Sequence, residues 1–172
     1  MSPRLAVLLK ALLLCGAVVA LDQASKGLVR DRIARGETVE VLPFLDLENT
    51  RNDGIAFGLA GDIPAGVIAV AIGLLMGLLA FITLRAEPRP YVWLPAGLLV
   101  GGALGNLIDR IRDGAVTDFI ALPNWPTFNL ADVSITVGVI LLLLLPELAR
   151  RREAREDGDP EAGATASEPD GP

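Results

Sequence analysis

The chain has 172 residues, 52% of them hydrophobic, and a positive mean hydropathy, which is too apolar for an ordinary soluble domain of this length. One cysteine and no histidine exclude an internal disulfide, the usual zinc sites and any Ser-His or Cys-His nucleophile pair. The net charge of -6 arises at the chain end, where Glu156, Asp157, Asp159, Glu161, Glu168 and Asp170 stand without a base; the remainder balances, and nothing in it asks for a nucleic-acid partner.

Residues 5–21 form an apolar run interrupted only by Lys10, as in a spanning helix whose lysine snorkels towards the N-terminal side. A cleaved signal peptide is the rival, with Ala17-Val18-Val19-Ala20 as its small-residue site. The uncleaved helix is preferred, because three more spans follow and cleavage would remove the segment leading into Asp22. Cys15 reads as a buried apolar side chain, since Leu14 stands where a lipid-attachment motif has a small residue.

Residues 22–62 are polar and mixed. Thr38-Val39-Glu40-Val41 and Leu45-Asp46-Leu47-Glu48-Asn49 alternate with period two, which predicts a small sheet of two or three strands, with Pro43 confining one of them to an edge or a bend. Residues 55–59 are apolar enough to dip into a membrane interface. Residues 64–84 carry no charge and predict the second span, with Pro64 in its first turn. After a short basic turn, residues 91–108 predict the third, with Tyr91 and Trp93 at headgroup level. Gly97, Gly101 and Gly105 recur every four residues, as do Gly73 and Gly77, and such faces allow close helix packing. Residues 133–148 predict the fourth span, ending in Arg150-Arg151-Arg152.

The expected fold is thus an all-α membrane bundle of four transmembrane helices with a small extracytoplasmic β-sheet, in a domain over residues 1–149. Residues 150–172 are expected to be an acidic, disordered, cytoplasmic tail. Four spans place both termini on one side. Lys and Arg are packed most densely in the short segments of that side, which predicts that the termini are cytoplasmic.

Between the last two spans lies GGALGNLIDRIRDGAVTDFIALPNWPTFNLAD, residues 101–132. An Asp at the middle of a membrane helix costs roughly 2.5 to 3.5 kcal/mol, so ionisable groups at the edge of a span are candidates for function. Asp118 and Asp132 both have apolar flanks. If Pro123-Asn124-Trp125-Pro126 folds back, the two carboxyls meet and one keeps its proton, because adjacent like charges resist ionising together. Such a pair can hydrolyse an amide, one member taking a proton from water while the other protonates the carbonyl oxygen. Against this, Asp132 also suits a helix N-cap, Asp109 a local ion pair with Arg110, and Asp113 a turn before Gly114. A hard-cation site, a proton or ion pathway in a small transporter, and a Ser25-Lys26 nucleophile pair are further alternatives. The last is disfavoured because Lys26 lies close to the solvent-facing Arg30.

Five blocks in order resemble the lipoprotein signal peptidases, also called signal peptidase II. They are Asp22-Gln23-Ala24-Ser25-Lys26, Asn52-Asp53-Gly54-Ile55-Ala56-Phe57, Gly101 to Arg110, Val116-Thr117-Asp118-Phe119, and Phe128 to Asp132. Any one block is weak; all five between hydrophobic spans are specific. The resemblance implies a membrane aspartic endopeptidase that removes signal peptides from diacylglyceryl-modified bacterial prolipoproteins, cutting just before the lipidated cysteine. It implies a catalytic pair at Asp118 and Asp132, site-shaping or substrate-binding roles for Asn52, Asn106, Arg110 and Asn129, and support from Asp22, Lys26 and Asp109. It further implies no metal or other cofactor, a monomer in the bacterial inner membrane with its site near the outer face, and sensitivity to globomycin-type inhibitors. Ile55 departs from the family's commoner Ala, and the G-x-G-D motif of presenilin-like proteases is missing.

Overall fold

The computed structural model describes residues 1–53 and 91–158. The expected span at residues 64–84, with Gly73 and Gly77, the apolar stretch 55–59 and the end of the acidic tail lie outside the described residues.

The first helix, α1 (Pro3–Arg32), is capped by Ser2, whose Oγ accepts the Leu5 N–H at 3.3 Å, and has Pro3 in its first turn, where the missing N–H costs nothing. It runs well past residue 21, where the apolar pattern stops. The reason is its buried stripe of Cys15, Val18, Asp22, Lys26 and Val29. The helical spacing continues, but the inward residues change from apolar to charged because they face a polar partner. Asp22 and Lys26 therefore sit within a helix, not in a loop after it.

Strands β1 (Thr38–Leu42) and β2 (Leu45–Asn52) form a hairpin turning at Pro43 and Phe44, as the alternation predicts. Helix α2 (Trp93–Asp113) ends at Gly114, whose φ of 74° supplies the left-handed cap and whose N–H bonds Arg110 O at 3.0 Å. Strands β3 (Val116–Leu122) and β4 (Trp125–Phe128) form a second hairpin with Asn124 at φ 59° in its turn. The expectation of two or three strands confined to residues 22–62 is corrected: the sheet is four-stranded and antiparallel in the order β1-β2-β3-β4. The Asp in Val116-Thr117-Asp118-Phe119 masks a strand, since it sits at a buried position where alternation leads one to expect an apolar side chain.

The last helix, α3 (Leu130–Gly158), starts at Leu130, before Val133, and continues beyond residue 149, where Glu147 pairs with Arg150 and Arg151 at 2.7 and 2.8 Å. The architecture of the described residues is mixed, three helices with a small antiparallel sheet, and not all-α. Two stretches, Pro3–Arg32 and Leu130–Arg152, are long and apolar enough to cross a membrane. Both expose large apolar side chains, including Leu12, Leu13 and Leu21 on α1 and Ile140, Leu143 and Leu144 on α3, as suits helices solvated by lipid.

Helix α2 lies against both. A Cβ at Gly101 would come within 2.8 Å of Val18 on α1, and one at Gly102 within 2.5 Å of the Ala131 carbonyl on α3, so the small residues set both helix separations. Lys10 lies over the Trp93 ring at 5.8 Å, a cation–π contact between α1 and α2. Val29 and Ile33 at the end of α1 pack with Phe119 of β3, and this small apolar cluster fixes the sheet over the helices.

Candidate active site

The β3–β4 hairpin performs the fold-back that would bring Asp118 towards Asp132: Ile120 pairs with Phe128, and the chain turns directly into α3. Asn129 and Asp132 then form a reciprocal cap. The Asp132 N–H donates to Asn129 Oδ1 at 3.1 Å, and the Asn129 N–H donates to Asp132 Oδ2 at 3.2 Å. This is a capping box with Asn and Asp in place of the commoner residues. Asn129 is thus the N-cap, and Asp132 stands three residues in, with one oxygen turned to the interior.

That oxygen, Oδ1, accepts from Asn106 Nδ2 at 2.8 Å. Asn129 Nδ2 donates both to Asn106 Oδ1 at 3.2 Å and to Asp118 Oδ1 at 2.6 Å, while Asn52 Nδ2 donates to Asp118 Oδ2 at 2.9 Å. One hydrogen-bonded network therefore contains Asp118, Asp132, Asn52, Asn106 and Asn129, drawn from β2, α2, β3 and the start of α3. Asp118 is buried at 3% exposure, whereas Asp132 is half-buried. Burial, then the nearby Asp132 charge, raises the Asp118 carboxyl to about 6, against the opposing pull of the Asn52 and Asn129 amides and the Lys26 charge. Arg110, half-buried, donates to the Asn106 carbonyl at 3.3 Å and lies within electrostatic reach of Asp132, Asp118 and Asp109.

Behind this network is a fully buried ion cluster. Lys26 Nζ contacts Asp22 at 2.9 Å, Asp109 at 3.1 Å and Asn106 Oδ1 at 2.9 Å, which uses all three of its donors. Asp22 Oδ1 accepts the Ala131 N–H at 3.0 Å, one of the orphan donors of the first turn of α3, and Asp109 Oδ2 accepts the Thr117 N–H at 3.1 Å. The cluster ties α1 and α2 to the backbone on which Asp118 and Asp132 are mounted. Two expectations are corrected here. Lys26 is not near solvent but wholly buried, and Asp109 pairs with Lys26 across the helices instead of with its neighbour Arg110. Asp113 is also more than a turn residue, since it pairs with Arg112 at 2.9 Å. Ser25 donates to the Asp22 carbonyl at 2.8 Å and is not among the groups Lys26 contacts, so the two do not form a nucleophile pair.

Two residues of this region escape a sequence reading. Gln23 Nε2 donates to Asp109 at 2.9 Å, to the Gly105 carbonyl at 3.1 Å and to Asp22 at 3.2 Å; its place between Asp22 and Lys26 was the available signal. Thr50 lies directly across from Asp118 in the β2–β3 register, and its buried Oγ1 has no hydrogen-bond partner among the described residues. Nothing in the sequence distinguishes it from any other strand threonine.

A fold of apolar helices around a polar, half-buried carboxylate network is that of a membrane enzyme. Two solved bacterial membrane enzymes match it, one with a TM-score of 0.71 and 33% identity over 78% of this chain and 90% of its own. The other has a TM-score of 0.73 and 29% identity over 93% and 94%. The model of the family described as signal peptidase (SPase) II matches residues 14–146. The lipoprotein signal peptidase of Moorella thermoacetica is 42% identical over 83% of this chain and 97% of its own length, and that of Brucella ovis 39% over 78% and 88%. The chain belongs to the signal peptidase II family, and is a membrane protease of lipoprotein processing.

Proposed function

We propose that the chain is an aspartic endopeptidase that cuts diacylglyceryl-modified prolipoproteins immediately before the lipidated cysteine, with Asp118 and Asp132 as its catalytic pair. The observation that carries this reading is the single hydrogen-bonded network holding both carboxylates, one of them in surroundings that retain a proton near pH 6. In the reaction, the ionised member takes a proton from water as its oxygen attacks the scissile carbonyl, and the protonated member donates to the carbonyl oxygen. Collapse of the tetrahedral intermediate then returns a proton to the leaving amine. Burial favours Asp118 as the member that carries the proton.

Asn52, Asn106 and Asn129 orient the carboxylates through amide donors, and Arg110 adds positive charge at the half-buried side. Asp22, Lys26 and Asp109 keep the pair's backbone in register. In this reading the chain is multi-pass, with both termini in the cytoplasm and the pair near the outer face of the inner membrane. There a monomer meets a substrate anchored by its lipid and signal helix. A globomycin-type inhibitor would bind at the same two carboxylates. The transporter alternative calls for carboxylates spaced along a path; Asp22, Asp109, Asp118 and Asp132 instead gather at one end of α2.

The test is cleavage of a diacylglyceryl-modified prolipoprotein by the purified protein in detergent, with the product N-terminus read by mass spectrometry. Wild type yields a new terminus at the lipidated cysteine, with or without EDTA. Asp118→Asn and Asp132→Asn each abolish it while unfolding as cooperatively as wild type. An active Asp132→Asn protein would overturn the assignment.

A further inference from the structure

On the other side of β3 from the Asp118 carboxylate is a cleft of about 380 Å³. Successive strand residues face opposite ways, so Thr117 lines this cleft while Asp118 enters the network described above. Its other walls carry three guanidiniums, Arg30, Arg35 and Arg51, and one carboxylate, Asp113. The arginines are prepared for an anion in different degrees. Arg51 is oriented by Asp53, 2.6 Å from its Nε, and by the Asp113 carbonyl, 2.8 Å from its Nη2. Arg30 makes one neutral hydrogen bond, from Nη1 to Thr117 Oγ1 at 3.0 Å. Its carboxylate neighbours Asp109 and Asp113 stand at 3.8 and 3.9 Å, beyond hydrogen-bond distance. Arg35 is exposed and has no ion pair among the described residues. Glu37, a further carboxylate near the end of α1, accepts the Ala34 N–H at 2.9 Å.

We propose that this cleft binds the phosphate of an anionic membrane phospholipid. A planar guanidinium matches two phosphate oxygens at once, and here Arg35 has no carboxylate partner among the described residues while the two carboxylates of Arg30 stand only at 3.8 and 3.9 Å, Asp113 being engaged by Arg112 at 2.9 Å. The place of the cleft selects a lipid as the source. Arg30 lies in the last turn of α1 and Arg35 just beyond it, at the end of a helix apolar enough to cross the membrane. Leu28, 59% exposed, carries the lipid-facing surface of that helix up to the level of the cleft. Arginines at such an end stand at headgroup depth, with acyl chains able to lie along the helix below. The bound headgroup is on the opposite face of the sheet from Asp118, so it does not cover that carboxylate. It also anchors the sheet to the bilayer through Arg30 and Arg51.

The experiment is native mass spectrometry of the full chain released from detergent, titrated with phosphatidylglycerol, phosphatidylcholine of the same acyl chains, and inorganic phosphate. Phosphatidylglycerol is expected to give a retained one-to-one adduct that phosphatidylcholine and inorganic phosphate do not match. Arg35→Gln, which breaks no contact among the described residues, is expected to weaken it about fivefold, and the Arg35→Gln/Arg51→Gln pair roughly twentyfold. Thermal unfolding of both variants is compared with wild type, and Arg35→Gln alone decides the matter if the double variant is destabilised. Equal binding of the two lipids would overturn the proposal, as would loss of binding in Arg150→Gln/Arg151→Gln but not in the cleft variants. Inorganic phosphate displacing the lipid at equal concentration would make this a soluble-anion site. Displacement by an acidic peptide, with no lipid adduct, would make it a peptide subsite.

Discussion

Asn129 has two separable duties, and replacing it tests both. Its Oδ1 caps α3 by accepting the Asp132 N–H, which contributes about 1 kcal/mol. Its Nδ2 donates to Asp118 at 2.6 Å, a hydrogen bond to an ionisable acceptor that contributes about 1.5 to 3 kcal/mol when the acceptor is charged. Asn129→Ala removes both and is expected to cost about 3 kcal/mol. Asn129→Ser keeps a capping oxygen but cannot reach Asp118, and is expected to recover about 1 kcal/mol of that loss. Because the Asn129 amide holds the Asp118 carboxyl down, both variants push it further above about 6. The assays are denaturant unfolding in detergent and the pH dependence of kcat/KM on a lipidated prolipoprotein. Both variants are expected to move the alkaline limb upward by the same amount while differing in stability. Equal stabilities, or an unmoved limb in the serine variant, would refute the division of labour.

Three further outcomes follow from the same geometry. Lys26→Met leaves Asp22 and Asp109 buried without their cation, and is expected to cost about 3 to 5 kcal/mol in denaturant unfolding; Lys26→Met/Asp109→Asn recovers part of the loss. The raised Asp118 carboxyl makes stability fall as pH rises. Between the ordinary 3.8 and about 6 the folded chain holds a proton that the unfolded chain has released, which amounts to about 3 kcal/mol across that window and none beyond it. Asp118→Asn should flatten this slope in unfolding curves taken from pH 4 to 7. Thr50→Val replaces a buried hydroxyl that has no partner among the described residues with a methyl of the same shape, and is expected to stabilise the protein by about 1 kcal/mol; a loss of stability would mean that water satisfies the hydroxyl.

The parts of the fold legible in the sequence are those where period and burial agree. The β1–β2 hairpin is one, since its apolar and polar residues alternate and Pro43 marks its turn. The helices were visible from their apolar runs, but not their ends, because α1 continues on a stripe in which Asp22 and Lys26 take inward positions. Strand β3 was hidden for the same reason, its buried positions including the very Asp118 that drew attention as chemistry. The asparagines of the network were legible only through family resemblance, since no spacing rule unites Asn52, Asn106 and Asn129. Their meeting depends on β2 lying beside β3, a pairing between segments far apart in the chain. Likewise, the burial of Lys26 could not be read locally, because both its distant partners lie on α2.

The two carboxylates of the network differ in what surrounds them, and the difference has a chemical direction. Asp132 lies in the first turn of α3, is half-buried, and accepts one backbone and one side-chain donor. Asp118 lies on a strand, is nearly inaccessible, and keeps its proton to about pH 6 largely through burial. The proposed hydrolytic pair calls for an inequality, because two equally ionised carboxylates supply no acid and two equally protonated ones supply no base. The fold gives the two different surroundings by mounting one member on a helix start and the other in a sheet, with Asn129 joined to both. The buried cluster of Asp22, Lys26 and Asp109 then has a purpose beyond neutralising its own charges. Through the Ala131 and Thr117 N–H groups it holds the residue before each aspartate, so each carboxylate is positioned from the backbone behind it while its amide partners position it from the front.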